Sequence, residues 1–235
     1  YLKLAQGDYC GVPVFKMLEV FPHPVGDPWF KDQLPSFRRA TQSELPVGYP
    51  DGYWMEIPII EPPRYLHYLV DRFCSVGGHI EQRTIKTLTD LTSDHTLIVN
   101  CTGVYARQVA NDPTVYPLRG QTVIVDAPHI HDAYMNDATF TYILPRPDGC
   151  VLGGVSQADN WSLEFDPADR EHILHQCKQI DPSLRRAAIL GETVGLRPGR
   201  HAVRLEHEQV GTATVIHNYG HGGLGFTLSW GCAAD

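Results

Sequence analysis

The spacing of apolar residues predicts a helix that begins just after residue 60. Glu61-Pro62-Pro63 opens the helix, and the apolar residues after it recur at intervals of three and four, which places them on one helical face. Gly77-Gly78 ends it, because glycine accepts the positive φ of a helix C-terminus. The apolar face consists of Leu66, Leu69, Val70 and Phe73.

Two strands are predicted after this helix. Residues 80–88 have strand character, and residues 96–101 form a continuously apolar run of the type that is buried on both faces. A helix followed by a buried strand indicates α/β architecture. Residues 1–60 are rich in proline, glycine and aromatic residues, which is typical of short strands and loops.

After Pro113 the pattern changes to short strands. Residues 121–125 and 141–144 are strand-like, and Pro147-Asp148-Gly149 forms a turn into a further strand at 151–152. This part predicts a largely antiparallel sheet. Asp166-Pro167 begins a helix whose buried face holds Ile173, Leu174 and Cys177. The last predicted strands are residues 193–196 and 212–217.

Composition narrows the class of protein. The chain has 235 residues, 43% of them hydrophobic and 20% charged, which is ordinary for a globular enzyme of one or two domains. A net charge of -8 argues against a protein that binds nucleic-acid backbones. The apolar runs are much shorter than the ~20 residues that span a bilayer, so no membrane segment is expected.

The six cysteines are scattered and include no Cys-x-x-Cys pair. They indicate reduced thiols in a cytoplasm-like compartment. The chain starts at Tyr1 and stops at Asp235, just after the opening of a helix, so we expect a fragment of a longer protein.

Residues 212–217 run directly into a cluster of glycines. A strand, a glycine cluster and a helix start together offer backbone amides and the positive end of a helix dipole to a ligand. The alternative is that these glycines only form a turn. A second candidate is Thr102-Gly103, which follows a strand at the sheet edge where α/β proteins bind ligands. The clustered glycines are Gly220, Gly222, Gly223 and Gly225.

Arg197 and Tyr142 are the two candidate substrate-binding side chains. Arg197 follows an apolar strand and precedes Pro198, and its guanidinium matches a carboxylate in geometry. The alternative is a structural ion pair. Tyr142 lies in a predicted strand, where its hydroxyl faces either a cavity or the core.

Metal and hydrolase chemistry find no support in the sequence. His129-x-His131 and His172-x-x-His175 lack a third ligand at a recognisable spacing, so no metal is expected. There is no Gly-x-Ser-x-Gly and no Cys/His nucleophile signature.

Six ordered motifs resemble the D-amino-acid oxidase family. They cover most of the chain, and the last two are the most specific. They are Val99-Asn100-Cys101-Thr102-Gly103, Leu118-Arg119-Gly120-Gln121, Tyr142-Ile143-Leu144-Pro145, Leu152-Gly153-Gly154, Gly195-Leu196-Arg197-Pro198 and His217-Asn218-Tyr219-Gly220-His221-Gly222-Gly223.

The resemblance implies a two-domain α/β fold and the activity of an FAD-linked oxidase. Residues 61–112 and 201–235 would belong to the FAD-binding domain, and residues 1–60 and 113–200 to a mostly antiparallel substrate domain. The enzyme would transfer a hydride from a D-amino acid to FAD and then react with oxygen. A homodimer is compatible with this family.

The resemblance also implies roles for individual residues. The arginine that matches Arg197 holds the substrate carboxylate, the tyrosine that matches Tyr142 adds a hydrogen bond, and Gly223 borders the substrate. The residues expected at the FAD are Ile85, Thr102, Gly103, Gly222, Gly223, Leu224, Gly225, Phe226 and Thr227.

Three departures from the family pattern bear on the substrate or on the cofactor. Ala138 stands where animal members have a second tyrosine, and Tyr134 is the nearest substitute. Val155 and Ser156 follow the Gly-Gly pair where D-aspartate oxidases carry an arginine, which favours neutral D-amino acids. The Gly-x-Gly-x-x-Gly that opens the family fold is absent from the sequence. The alternatives are a D-aspartate oxidase, a glycine or sarcosine oxidase, and a non-catalytic fragment.

Overall fold

The computed structural model describes residues 1–7 and 10–235. The chain forms two compact units. The first unit contains Tyr1–Ile80, Gln121–Val155 and Phe165–Thr193, and the second contains Glu81–Gly120, Ser156–Glu164 and Val194–Asp235.

The described residues form twelve strands and five α-helices. The strands are β1 (Val14–Phe21), β2 (Phe37–Arg39), β3 (Asp51–Pro58), β4 (Leu97–Asn100), β5 (Tyr116–Asp126), β6 (Ala133–Asn136), β7 (Thr141–Leu144), β8 (Cys150–Gly153), β9 (Gln157–Ala158), β10 (Ala188–Gly199), β11 (Arg204–Val210) and β12 (Ala213–Tyr219). The helices are α1 (Leu2–Ala5), α2 (Pro62–Ser75), α3 (Ala106–Val109), α4 (Pro167–Ile180) and α5 (Gly225–Ala234). Within residues 1–7 and 10–235, none of the helices combines the length and the apolar composition that crossing a membrane requires.

The larger sheet is mostly antiparallel, as predicted. Its strand order is β10-β5-β8-β7-β6-β1-β3-β2, with β9 paired to β5, and β1 and β6 form a parallel pair within it. Helix α4 begins at Asp166, whose carboxylate accepts from the Ala168 amide at 2.8 Å. Its buried residues Ile173, Leu174 and Cys177 join the core of the first unit, which also contains residues of β5 and β8.

The second unit contains a three-stranded sheet in the order β11-β12-β4. Strand β12 is antiparallel to β11 and parallel to β4, and His217 lies opposite Asn100. Its buried apolar residues form two small clusters. One contains Leu88, Ile98, Val109, Ala213 and Val215, and the other contains Val104, Ala106, Val115 and Tyr219.

The strand predicted at residues 80–88 is wrong. The structure has a 3-10 turn at Leu88–Leu91 and describes no strand at residues 81–87. The Asp90 carboxylate accepts from the amides of Lys86 and Thr87 at 2.9 and 3.1 Å, which closes a capping box around the turn. Local bonds from a side chain to the backbone have replaced a strand ladder here.

Two further expectations need correction. Strand β4 is buried on one face only, because Leu97 and Val99 are 60% and 57% exposed while Ile98 and Asn100 are buried. Strand β10 does not end before Arg197 but continues through Pro198 to Gly199. It lies at the edge of the larger sheet, where a proline costs fewer ladder bonds.

Helix α2 has nearly the predicted bounds, but its apolar face is open. Leu66, Val70 and Phe73 are 42–50% exposed, and Tyr65 is the buried residue of this helix. Gly77 takes a φ of +91° just after the helix, as predicted.

Candidate functional site

A glycine-rich loop joins β12 to α5 in the second unit. Gly220 and Gly222 have φ of +87° and +55°, and a 3-10 turn over Gly222–Leu224 leads into α5. Within the part of the chain that the structure describes, no side chain caps the N-terminus of α5, and its first turn contains no acidic residue. The positive end of the helix dipole is therefore available to an anionic or electron-rich ligand.

A second glycine follows β4 at the same edge of the sheet. Because β4 and β12 are parallel, Thr102-Gly103 and the loop at Gly220 both leave the carboxyl ends of their strands. Gly103 has a φ of +60°, and a Cβ built on it has no neighbour within 4 Å. The same is true of a Cβ built on Gly225. The backbone is thus open to close approach at both connections.

Arg197 lies between two glycines of the second unit. A Cβ on Gly120 would collide with the Arg197 guanidinium, so this side chain rests directly on the backbone of β5. A Cβ on Gly223 would lie 3.6 Å from the Arg197 Cδ. The structure therefore places the Arg197 side chain near Gly223, beside the loop that opens α5.

A buried carboxylate anchors the strand that leads into this loop. Asp112 Oδ2 accepts from the Tyr219 hydroxyl at 2.9 Å and from Arg200 Nε at 3.0 Å. Burial by itself raises the pKa of Asp112, but hydrogen bonds from Thr114, Tyr219 and Arg200 outweigh it and lower the pKa to about 2. This network holds Tyr219 in place immediately before Gly220.

A chain of polar side chains runs across the same sheet. The Thr102 hydroxyl donates to Asn100 Oδ1 at 2.7 Å, and Asn100 Nδ2 lies 3.1 Å from His217 Nδ1. His217 Nε2 lies 3.1 Å from a Glu208 carboxylate oxygen. Burial, helped by Arg204, lowers the pKa of His217 against the opposing effect of Glu208, so the imidazole is neutral near pH 7.

Sequence reasoning missed both networks. His217 and Tyr219 stand in a motif that the sequence made conspicuous, but their partners Asp112 and Glu208 carry no local signal. Asp112 is 107 residues from Tyr219, and Asn100 is 117 residues from His217.

Tyr142 belongs to the first unit, on β7. Its ring covers Gly153, where a Cβ would collide with it, and Gly154, where a Cβ would lie 3.0 Å from the ring. Its carbonyl accepts from the Cys177 thiol at 3.6 Å. Burial raises the pKa of Cys177 to about 12, so this cysteine stays a neutral thiol.

The remaining predicted cofactor residues lie in the second unit. Ile85 packs against the core that contains Leu88 and Ile98. Leu224 is 57% exposed, and Phe226 and Thr227 stand in the first turn of α5.

Neither of two cavities in the structure is lined by the predicted site residues. A cavity of about 560 Å³ in the first unit is lined by residues that include Phe15, His131 and Arg146. A cavity of about 680 Å³ in the second unit is lined by residues that include Cys101 and Asn218. The second cavity borders the strand that leads to Thr102.

Comparisons with known proteins show the class of protein to which this chain belongs. A family model described as FAD dependent oxidoreductase, DAO, matches residues 31–235. The chain superimposes on glycine oxidase from Geobacillus kaustophilus with a TM-score of 0.77 at 14% identity, covering 96% of this chain and 70% of that one. This similarity confirms the expected two-domain α/β fold of FAD-linked oxidases.

Two relatives narrow the class further. The D-amino-acid oxidase of Rubrobacter xylanophilus is 45% identical over 89% of this chain and 66% of its own length. The D-amino acid oxidase of Dugesia ryukyuensis is 42% identical over 96% of this chain and 70% of its own length. The chain therefore belongs to the D-amino-acid oxidase family of FAD-dependent oxidoreductases. It spans about two thirds of the length of these relatives.

Proposed function

We propose that the protein oxidises neutral D-amino acids with FAD as the hydride acceptor. Oxygen takes up the electrons and becomes hydrogen peroxide, and water hydrolyses the imino acid to the 2-oxo acid and ammonia. The observation that carries the proposal is the position of Arg197, which lies on Gly120 and alongside Gly223 at the loop that opens α5. A substrate carboxylate and an electron-accepting ring need these two elements side by side.

Several features of the second unit support a bound flavin. The open positions at Gly103 and Gly225 and the uncapped start of α5 fit a group that approaches the main chain closely. FAD supplies the two-electron chemistry, accepting a hydride from the substrate and passing the electrons to oxygen. The residues proposed to hold it are Ile85, Thr102, Gly103, Gly222, Gly223, Leu224, Gly225, Phe226 and Thr227.

The first turn of α5 contributes electrostatically. Backbone amides at a helix N-terminus stabilise negative charge, and reduction leaves such charge on the pyrimidine side of a flavin ring. An acidic residue in that turn would oppose this effect, and α5 has none there.

Arg197 binds and orients the substrate in this proposal. Its guanidinium donates two parallel hydrogen bonds to the carboxylate and so fixes the α-carbon relative to the flavin. Tyr142 adds a hydrogen bond from its hydroxyl, and its ring position is set by Gly153 and Gly154. Orientation, rather than a protein base, is what these residues provide.

Preference for neutral side chains rests on Val155 and Ser156. Neither residue offers the positive charge that an acidic substrate side chain would need.

We also propose that residues 61–112 and 201–235 form the flavin-binding domain, and that residues 1–60 and 113–200 form the substrate domain. The compact units have other boundaries, since residues 61–80 lie in the first unit and residues 113–120 in the second.

Peroxide formation by the full-length protein tests the activity. We expect turnover of D-alanine, none of L-alanine, and weak turnover of D-aspartate. Equal rates with both alanine enantiomers, or no rate with any D-amino acid, would reject the proposal. If D-aspartate, or glycine and sarcosine, were turned over faster than D-alanine, those compounds would be the preferred substrates instead.

The substitution Arg197→Ala tests the carboxylate role. We expect the yellow flavin spectrum to remain and kcat/KM for D-alanine to fall by an amount equivalent to roughly 3–5 kcal/mol, the cost of leaving one charge of a buried pair without its partner. Arg107→Ala is the matched control, because that guanidinium donates to the carbonyls of Pro113 and Val115. Loss of flavin from the Arg197 variant would indicate a structural role instead.

A further inference from the structure

Hydrogen-bond donor and acceptor roles can be assigned without conflict along the series of side chains from Thr102 to Glu208. The backbone amide of Thr102 donates to Asn100 Oδ1 at 3.2 Å, and an amide nitrogen can only donate. This contact fixes which end of the Asn100 side chain is oxygen. The other end, Nδ2, must therefore face His217 and donate to it.

The tautomer of His217 follows from that orientation. Nδ1 accepts from Asn100, so it carries no proton, and in a neutral imidazole the proton is then on Nε2. Nε2 faces a Glu208 carboxylate oxygen at 3.1 Å, and a carboxylate can only accept. The contact with Asn100 and the contact with Glu208 therefore require the same tautomer of His217, each independently of the other.

At one end of this hydrogen-bonded chain is the Thr102 hydroxyl, on the residue that precedes Gly103 in the proposed cofactor site. Its single proton is donated to Asn100 Oδ1 at 2.7 Å, which leaves its lone pairs to accept a further bond. We propose that Glu208 and His217 are positioning residues that hold the Thr102 hydroxyl as a hydrogen-bond acceptor for a donor group of the flavin nucleotide.

The chemistry of the nucleotide suits such an acceptor. A flavin nucleotide carries hydroxyl groups on its sugar portions and an N–H on its ring, and each can donate. Thr102 stands directly before Gly103, where the backbone is open, at the carboxyl end of β4. The inference rests on the proposed function, since it assumes that a flavin binds at this edge.

Glu206 provides a matched control for Glu208. Both carboxylates are about half exposed and both pair with Arg204, through its Nε for Glu206 and its Nη2 for Glu208. The bond to His217 belongs to Glu208. Removal of Glu206 therefore changes the ion pairing of Arg204 but leaves the carboxylate that accepts from His217 Nε2 in place.

The first measurement is the tautomer itself. In the full-length protein with ¹⁵N-labelled histidine, with His217→Gln used for assignment, we expect His217 to carry its proton on Nε2. A proton on Nδ1, or a rapidly averaging ring, would overturn the proposal. This result does not depend on flavin, so it stands even if the protein binds none and the proposed function fails.

The second measurement is a double-mutant cycle on flavin affinity, followed by fluorescence titration of the deflavinated protein with FAD. Loss of one supporting hydrogen bond in Glu208→Ala should raise the Kd for FAD roughly three- to tenfold, whereas Glu206→Ala should leave it unchanged. In a Thr102→Val background, Glu208→Ala should have no further effect. The Glu208→Gln variant keeps an acceptor oxygen and should restore the wild-type Kd.

Three results of the cycle would overturn the positioning role. They are an equal loss of affinity in Glu206→Ala, additive losses in the cycle, and an unchanged Kd in Glu208→Ala while Thr102→Val weakens binding. Additive losses would identify Glu208 as a general contributor to stability. Circular dichroism of each variant verifies that the fold is retained.

Discussion

The two units differ in how polar their interiors are. The first unit has the larger apolar core, with Leu152 fully buried, and it also buries the polar side chain of Gln121. The second unit has two smaller apolar clusters, and Asn100, Asp112 and His217 are buried beside them. We therefore expect hydrogen bonds and charge pairs to contribute a larger share of the stability of the unit that we propose to hold the flavin, and isosteric polar substitutions to affect it more.

The largest effect on stability is expected from a substitution that creates a cavity in the core of the first unit. Leu152→Ala should lower the free energy of unfolding by about 2–5 kcal/mol, because the closely packed sheet and helix cannot collapse into the space. Leu190→Ala is the control, since Leu190 is 57% exposed in the same unit. Urea denaturation of both variants measures the difference, and similar midpoints would show that the first unit is not held by its apolar core.

A smaller loss is expected when the charge of Asp112 is removed. Asp112→Asn keeps the shape of the side chain but leaves Arg200 and Tyr219 without a carboxylate, which should cost about 2–3 kcal/mol. Asp94→Asn is the control, because Asp94 pairs with Arg83 at the exposed surface. If both variants unfold like the wild type, the polar interior of the second unit contributes little to its stability.

The sequence predicted those features that depend on neighbouring residues. Helix α4 with its Asp166 cap, the turn between β7 and β8, and the glycine loop before α5 all follow from short-range chemistry. The strand expected at residues 80–88 was wrong because the local capping box at Thr87 and Asp90 was not recognised.

The polar networks were beyond sequence reasoning for a different reason. Asp112 and Tyr219 meet only because their elements pack together in the folded second unit. The same holds for Asn100 and His217, which face each other across the parallel pair of β4 and β12. The roles proposed for Arg197 and Tyr142 come from the resemblance, and the structure adds the packing of Arg197 on Gly120 and its proximity to Gly223.

The smallest effect expected is a pH response of opposite sign in the two units. Glu19, buried in the first unit, has a pKa raised by burial against a hydrogen bond from Tyr53. Its native state takes up a proton before its unfolded state does, so stability of the first unit rises as pH falls towards about 4.5. His217 has a lowered pKa, so the unfolded state binds the proton first, and stability of the second unit falls as pH drops below about 6.5.

Hydrogen exchange resolved by peptide separates the two responses, because each unit supplies its own peptides. Between pH 7.5 and about 4.5, and after correction for the intrinsic exchange rate, protection should increase for β1 and β3 and decrease for β4 and β12. Glu19→Gln should abolish the first response and His217→Gln the second. A common sign in both units would mean that neither buried group governs the pH dependence, because a single global transition would then dominate the opening of both sheets.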